Sequence, residues 1–182
     1  MDPTLLLIDI QNDYFEGGAM ALPHSAEAAM RAAAVLAYWR EQGRRVIHMQ
    51  HIAKRAGATF FLPGTAGAEI HASVQAREGE MVIQKHFPNC FRETSLLDRL
   101  RELGTRELVI AGMMSQLCID TTTRAAADLG FACTVVHDAC AARALEFQGL
   151  ALSAQQVHAA YMAALQGSFA KMMGSQDLLQ AA

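Results

Sequence analysis

Short apolar runs that alternate with helical patterns are the feature that most constrains how this 182-residue chain can fold. The first run, Leu-Leu-Leu-Ile at positions 5–8, is apolar at every position, which is typical of a strand covered on both faces. Because strand and helix patterns then follow each other along the sequence, we predict an α/β fold. We expect a single domain over residues 1–182, with a doubly wound, Rossmann-like, mostly parallel sheet of about six strands in three α/β/α layers.

Apolar spacing, helix stops and turn residues predict the remaining elements. An irregular segment at 54–68 contains two adjacent phenylalanines, which argues against disorder and favours a functional loop. Further strands are predicted at 45–50, 80–84, 107–111, 131–136 and 168–172, and helices at 25–42, 69–76 (a short turn), 94–103, 115–129, 153–165 and the carboxyl terminus.

Composition and charge narrow the classes of function. A net charge of −3 leaves no broad basic surface for nucleic acid or for an anionic membrane. No apolar run approaches the roughly 20 residues that span a bilayer. No signal peptide precedes the first strand, so we expect a soluble cytoplasmic protein. The four cysteines are not spaced as metal knuckles, and a chain of this size needs no disulfides.

Reactive or ionisable side chains follow three of the predicted strands: Asp9, Lys85 and Cys118. The carboxyl ends of parallel strands lie on one edge of a sheet, so these three side chains could converge there. The carboxylate could take the thiol proton and pass it to a leaving nitrogen, while the lysine lowers the thiol pKa and orients the carboxylate. This constellation predicts hydrolysis of a C–N bond through a covalent acyl-enzyme. Each residue also has an ordinary alternative, because Asp9 could cap a helix and Lys85 could be solvated.

The stretch 107–118 ends a strand at Gly112 and starts a helical pattern within a few residues. Backbone N–H groups at a helix start are unpaired, so those near Met114 and Cys118 could bind a tetrahedral oxyanion. The positive end of the helix dipole also favours a thiolate at Cys118. The alternative is that Cys118 is a small buried hydrophobic residue, as most intracellular cysteines are.

Several motifs occur in order along nearly the whole chain: Leu-Leu-Ile-Asp-Ile-Gln-Asn-Asp-Tyr-Phe at 6–15, Phe-Leu-Pro-Gly-Thr-Ala-Gly-Ala-Glu-Ile at 61–70, the lysine after Glu-Met-Val-Ile-Gln at 80–84, Ala-Gly-Met-Met-Ser-Gln-Leu-Cys-Ile-Asp-Thr-Thr at 111–122, and Asp-Leu-Gly-Phe at 128–131. Together they resemble the isochorismatase-like cysteine hydrolase superfamily, with its nicotinamidase, N-carbamoylsarcosine amidase and isochorismatase relatives. The resemblance implies an Asp-Lys-Cys triad at Asp9, Lys85 and Cys118 and no cofactor. It also implies a cis peptide bond at 113–114, with the N–H groups of Met114 and Cys118 as the oxyanion hole.

Positions at which this sequence differs from branches of the family limit the reactions that it is expected to catalyse. The nicotinamidase branch carries an Asp-x-His metal motif after the second strand, where this chain has His48-Met49-Gln50-His51 without a carboxylate. The two histidines would face opposite sides of a strand, so we predict no metal site. The branch that cleaves the isochorismate ether generally lacks the cysteine, so Cys118 favours amide or carbamoyl hydrolysis. An ether hydrolase and a non-catalytic interaction protein remain the alternatives.

The substrate pocket is predicted from loops that should border the triad. Candidate contacts for a small-molecule substrate are Phe15, His51, Phe61, Phe87 and Gln116. The alternative for the phenylalanines is core packing or a dimer contact, and Cys90, Cys133 and Cys140 are predicted to be structural. Members of the family usually form dimers or tetramers, so the resemblance implies a homo-oligomer. The charge and the lack of a long apolar run predict no nucleic-acid or membrane partner.

Overall fold

A six-stranded sheet forms the centre of the protein in a computed structural model that describes residues 2–181. Its strand order is β3-β2-β1-β4-β5-β8, and every neighbouring pair is parallel. The strands are β1 (Thr4–Ile8), β2 (Val46–His51), β3 (Met81–Lys85), β4 (Glu107–Met113), β5 (Ala132–Ala141) and β8 (Lys171–Met173), and the helices are α1 (Ser25–Glu41), α2 (Leu96–Glu102), α3 (Asp120–Asp128), α4 (Ala154–Leu165) and α5 (Ser175–Ala181). The predicted doubly wound α/β fold is confirmed.

The central strand β1 is buried on both faces, as its unbroken apolar run predicts. Leu5 and Leu7 belong to a core cluster that also contains buried residues of α1 and α5. Leu6 and Ile8 point the other way and belong to a second cluster with residues of α2, α3 and α4. Because successive side chains of a strand alternate between faces, this one strand supplies both cores and separates the two helical layers.

Three features differ from the predicted elements. Strand β5 continues to Ala141, past the expected end at 136. A hairpin that sequence reasoning missed follows it, formed by β6 (Leu145–Phe147) and β7 (Leu150–Leu152). The predicted helix at 115–129 is divided into a π-helical turn at Ser115–Ile119 and the shorter α3. The segment 54–68 contains no strand or α-helix, as predicted, and the short helical turn predicted at 69–76 is a 3-10 helix at Ala72–Val74.

Strand register brings the carboxyl ends of β1 to β4 close to the same level of the sheet. Ile8 of β1 pairs with Gly112 of β4, and His51 of β2 pairs with Lys85 of β3. A Cβ atom at Gly112 would collide with the carbonyl oxygen of Ile8, so only glycine allows this approach. Within residues 2–181, none of the helices combines the length and apolar character needed to cross a membrane.

Candidate active site

The carboxyl ends of β1, β3 and β4 bring Asp9, Lys85 and Cys118 together. Asp9 follows β1, Lys85 is the last residue of β3, and Cys118 lies in the turn after β4. The Nζ atom of Lys85 lies 2.7 Å from Oδ2 of Asp9 and 3.3 Å from Sγ of Cys118. All three side chains are buried. The predicted convergence is therefore present, with the lysine ammonium in contact with both the carboxylate and the sulfur.

Asp9 adopts an unusual backbone conformation where it leaves β1. Its φ angle of 52° lies in the left-handed region, which costs a non-glycine residue roughly 1 kcal/mol or more. Its N–H group still donates to the carbonyl of Met49 in the neighbouring strand at 3.1 Å. No donor among residues 2–181 forms a hydrogen bond with Oδ1 of Asp9. That oxygen is therefore available to accept a proton.

The turn that carries Cys118 begins directly after β4. The peptide bond between Met113 and Met114 is cis, at the position that the resemblance implied. The N–H groups of Leu117 and Ile119 both donate to the carbonyl of Met114, at 3.1 and 3.2 Å. The bond from Ile119 spans five residues and therefore defines a π turn. Such turns often occur at functional sites. The turn places Cys118 beside the lysine before α3 starts.

Burial and charge set the resting protonation of the cysteine and the lysine. Burial raises the pKa of the Cys118 thiol well above its usual range, the negative charge of Asp9 raises it further, and Lys85 only partly opposes both effects. The thiol is therefore protonated at rest, whereas the helix-dipole argument favoured a thiolate. Burial alone would lower the pKa of Lys85, but Asp9 and Cys118 outweigh it and raise that pKa above the usual value. Lys85 thus stays an ammonium at neutral pH.

His51 is the third group in contact with the lysine. Its Nδ1 atom lies 3.1 Å from Nζ of Lys85. Because an ammonium can only donate, Nδ1 accepts and the ring proton lies on Nε2. Burial lowers the pKa of His51 to about 4; Asp9 opposes this shift, while Lys85 and His86 reinforce it. At neutral pH His51 is therefore an uncharged imidazole with one defined tautomer.

Asp9, His51 and Cys118 are also the residues that could hold a metal ion, since their ligand atoms all lie within 4.8 Å of one another. The ammonium of Lys85 already contacts all three groups, at 2.7, 3.1 and 3.3 Å. A metal ion bound to this set would have to displace that ammonium or lie against it, which two positive charges disfavour. His48 is buried and bonds to Glu80 at 3.0 Å instead.

A cavity of about 460 Å³ lies beside these residues. His51, Met114 and Leu117 line it, and these three residues connect the cavity to the lysine contact and to the cysteine turn. Its apolar lining also includes Met20, Phe60 and Pro88, and its basic lining consists of Lys54, Arg55, Arg143 and the imidazole of His86. The cavity is large enough for a small molecule.

The predicted pocket residues occupy different places. His51 lines the cavity, whereas the other four candidates are not part of its lining. Phe15 stacks on His71 with ring centroids 3.7 Å apart. Phe61 is buried and packs edge-on against Tyr14 at 4.6 Å. The carbonyl of Phe87 accepts a bond from Lys85 at 3.1 Å, and its ring lies 3.6 Å from the guanidinium of Arg92.

Gln116 is the remaining candidate for a substrate contact. It is buried in the π turn, and its amide nitrogen contacts the Met114 sulfur at 3.6 Å. Its Oε1 atom has no hydrogen-bond partner among residues 2–181. A buried amide oxygen without a donor normally costs about 1–3 kcal/mol, so a ligand or water could satisfy it.

Two polar residues that sequence reasoning missed fasten the loop over the site. The Gln11 side-chain amide donates to the carbonyls of His51 at 2.9 Å and Ala68 at 2.7 Å, and accepts from the His51 N–H at 2.7 Å. The Asp13 carboxylate accepts the Phe61 N–H at 2.6 Å. The available signal was a polar pattern directly after a buried strand, which could indicate loop anchoring as well as catalysis.

Tyr14 is a further neighbour of the triad that the sequence did not single out. Burial raises the pKa of its hydroxyl well above the usual value, and ionisation of Cys118 and the charge of Asp9 raise it further. The hydroxyl therefore keeps its proton at neutral pH and can act as a hydrogen-bond donor. The aromatic ring in the motif at 6–15 was visible in sequence, but its burial was not.

Comparison with known proteins agrees with this architecture. A model of the Isochorismatase domain family matches residues 3–177. YddQ, an isochorismatase family protein of Bacillus subtilis strain 168, is 47% identical over 180 residues, which cover 99% of this chain and 100% of YddQ. The crystal structure of an isochorismatase-type hydrolase from Oleispira antarctica matches with a TM-score of 0.95 and 47% identity, over 98% of this chain and 96% of that one.

A more distant relative is named for a reaction. The nicotinamidase of Escherichia coli strain K12 is 26% identical over 174 residues, which cover 75% of this chain and 82% of that protein. The match to the family model, the identity with YddQ and the agreement in fold all lead to the same assignment. This chain belongs to the isochorismatase family of hydrolases.

Proposed function

We propose that this protein is a cysteine hydrolase that cleaves a C–N bond of a small amide or carbamoyl-type substrate. The observation that carries the proposal is the contact of one buried ammonium, that of Lys85, with both the Asp9 carboxylate and the Cys118 sulfur. A base, a nucleophile and a fixed positive charge are thus assembled next to a cavity of small-molecule size.

The reaction starts with transfer of the Cys118 thiol proton to Asp9. The sulfur attacks the carbonyl carbon, and the electron pair of the C=O bond moves onto oxygen. The N–H groups of Met114 and Cys118 are proposed to bind this oxyanion, and Lys85 stabilises the developing negative charge. When the tetrahedral intermediate collapses, the C–N bond breaks and Asp9 returns the proton to the leaving nitrogen. An acyl-thioester on Cys118 remains.

Water completes the cycle. Asp9 accepts a proton from a water molecule as its oxygen attacks the thioester carbonyl, and the carboxyl product leaves while the sulfur recovers its proton. The raised pKa of Cys118 suits this scheme, because the thiol keeps its proton until a substrate enters and Asp9 acts. The residues present supply every proton transfer, so the proposal requires no cofactor or metal.

Cysteine removal tests the proposal. We expect Cys118→Ala to lower ammonia release from a panel of small amides, carbamates and ureas by at least about a thousandfold, because the covalent step is lost. Cys133→Ala is the matched control, since Cys133 lies in β5 and its thiol contacts the Phe131 carbonyl. Circular dichroism should show an intact fold in both variants. Full activity of Cys118→Ala would refute the mechanism.

Thiol alkylation separates this proposal from its two rivals. Alkylation of Cys118 should abolish activity in the proposed mechanism, because the modified sulfur can no longer attack a carbonyl. An ether hydrolase that does not use the thiol would stay active after alkylation. A non-catalytic interaction protein would release no ammonia from any member of the panel. Either result would overturn the assignment of Cys118 as nucleophile.

A further inference from the structure

We infer that the active-site cavity selects amides that carry a carboxylate at the end remote from the bond to be cleaved. This inference rests on the proposed function for the reaction itself, but the charge preference is a separate property of the cavity. It follows from the placement of three basic residues, from the absence of acidic residues in the lining, and from the apolar surface between these residues and the cysteine turn.

Lys54, Arg55 and Arg143 provide the positive charge. All three line the cavity, and all three are exposed. Lys54 and Arg55 lie in the segment after β2, whereas Arg143 follows β5. In the sheet, β1 and β4 lie between β2 and β5, so the basic residues come from both sides of the strands that carry Asp9 and the cysteine turn.

In the described part of the chain, these three cations lack a salt-bridge partner. Within residues 2–181, none of the three forms a salt bridge or a hydrogen bond through its side chain. Among the described residues, those that line the cavity include no aspartate or glutamate. The carboxylate of the triad, Asp9, is already paired with Lys85 at 2.7 Å. Since the whole chain has a net charge of −3, this cluster does not reflect a generally basic protein.

The rest of the lining suits a short carbon skeleton. Met114 precedes the cysteine turn, Leu117 lies within it, and Phe60 belongs to the segment after β2. Apolar walls exclude water and strengthen the field of nearby charges, so an anionic group in the cavity is favoured over a neutral or cationic one. Guanidinium and ammonium groups both bind carboxylates, the former with two parallel hydrogen bonds. An acid that bears an amide at its other end satisfies both parts of the cavity.

Alkylation of Cys118 can measure this preference without any turnover. Three reagents react by the same step, in which sulfur displaces iodide, and differ only in the remote group. They are iodoacetyl-β-alanine (anionic), its primary amide (neutral) and N-aminoethyl-iodoacetamide (cationic). Rates are measured by intact-protein mass spectrometry, with Cys118→Ala as the background for other cysteines, and are divided by the rate of each reagent with mercaptoethanol.

We expect the anionic reagent to react with Cys118 on the order of tenfold faster than the neutral one at low salt, and the cationic reagent to react more slowly than both. The preference should shrink at high salt, because the Debye length falls from about 30 Å at 0.01 M to about 3 Å at 1 M. Equal corrected rates for the three reagents would overturn the inference.

Substitutions assign the preference to the cavity. Arg143→Gln and Lys54→Gln should each reduce the anionic preference about threefold, and Arg143→Lys should retain most of it. Arg31→Gln is the matched control, because Arg31 is exposed on α1 and does not line the cavity. An unchanged preference in both glutamine variants would refute the inference. A charge preference without ammonia release from any amide would instead refute the proposed function alone.

Discussion

Replacement of Lys85 by methionine should strongly destabilise the fold as well as stop the reaction. Methionine has a similar length but no charge, so Lys85→Met leaves the Asp9 carboxylate without its partner. The two groups lie 2.7 Å apart, and both side chains are 0% exposed. Water therefore cannot take over the role of the ammonium without rearrangement of the core.

The size of the effect follows from this burial. Breaking a buried ion pair by removal of one partner costs about 3–5 kcal/mol, because the other charge remains buried and uncompensated. Small proteins lose about 1–3 kcal/mol of stability per molar urea, so the midpoint of urea unfolding should fall by about 2 M. In the double variant Asp9→Asn/Lys85→Met, both charges are absent and most of the loss should be recovered.

Fluorescence of Trp39 provides the assay, because Trp39 is the only tryptophan and is fully buried. Unfolding curves of the wild type, both single variants and the double variant form a double-mutant cycle. The reasoning is refuted if Lys85→Met unfolds at the wild-type urea concentration, or if the second substitution adds to the loss instead of reducing it. Either result would mean that the pair is not a tightly coupled buried contact.

The pair also predicts a response to alkaline pH. The pKa of Lys85 is raised in the folded protein above its ordinary value near 10.5. The stability that this shift contributes is fully present below the ordinary value and is lost as pH rises through the raised value. The difference in unfolding free energy between the wild type and Lys85→Met should therefore be constant near neutral pH and diminish above about pH 10.5.

Two other predictions concern structural contacts. Asp13→Ala should lower the free energy of unfolding by about 2 kcal/mol, because the charged acceptor of the Phe61 N–H is lost. The amide hydrogen of Phe61 should then exchange faster with solvent. Unchanged exchange would contradict the anchoring role of Asp13. The Arg40 hydrogen bonds hold the pKa of Glu80 at about 2, although burial opposes them. The lowered pKa means that ionised Glu80 stabilises the fold above the ordinary pKa of 4.5, and that this stabilisation is lost as pH falls toward 2. Arg40→Met should remove most of that acid dependence in urea unfolding, and an unaltered pH profile would refute it.

Much of the candidate site could be predicted because it depends on local sequence and strand direction. Asp9, Lys85 and Cys118 each follow an apolar run, and parallel strands deliver their carboxyl ends to one edge. The order of strands and helices was predictable for the same reason. Apolar residues repeat every 2 residues in a strand and every 3.6 residues in a helix, and both repeats can be read from a local segment. The end of β5 and the short hairpin after it depend on pairing partners, and their residues carry no comparable local signal.

The π turn and the loop anchors could not be predicted in this way. A helical pattern at 115–129 does not reveal that the N–H of Ile119 bonds to Met114 rather than to Ser115, because the choice depends on packing around the turn. Likewise, Asp13 and Phe61 are separated by 48 positions, so nothing in either local segment indicates their hydrogen bond. Four of the five predicted pocket residues do not line the cavity for a similar reason, since position in a loop does not determine where a side chain packs.

The sequence by itself determined the α/β order, the family and the three reactive residues at the strand ends, because these depend on local periodicity and on motifs. Only the tertiary structure decided how those residues are charged and what surrounds them. The resting thiol of Cys118, the neutral His51 and the unpaired cations of the cavity depend on burial and on distances between strands. Electrostatic energies depend on separation in space rather than along the chain, so these properties emerge only when β1, β2, β3 and β4 pack side by side.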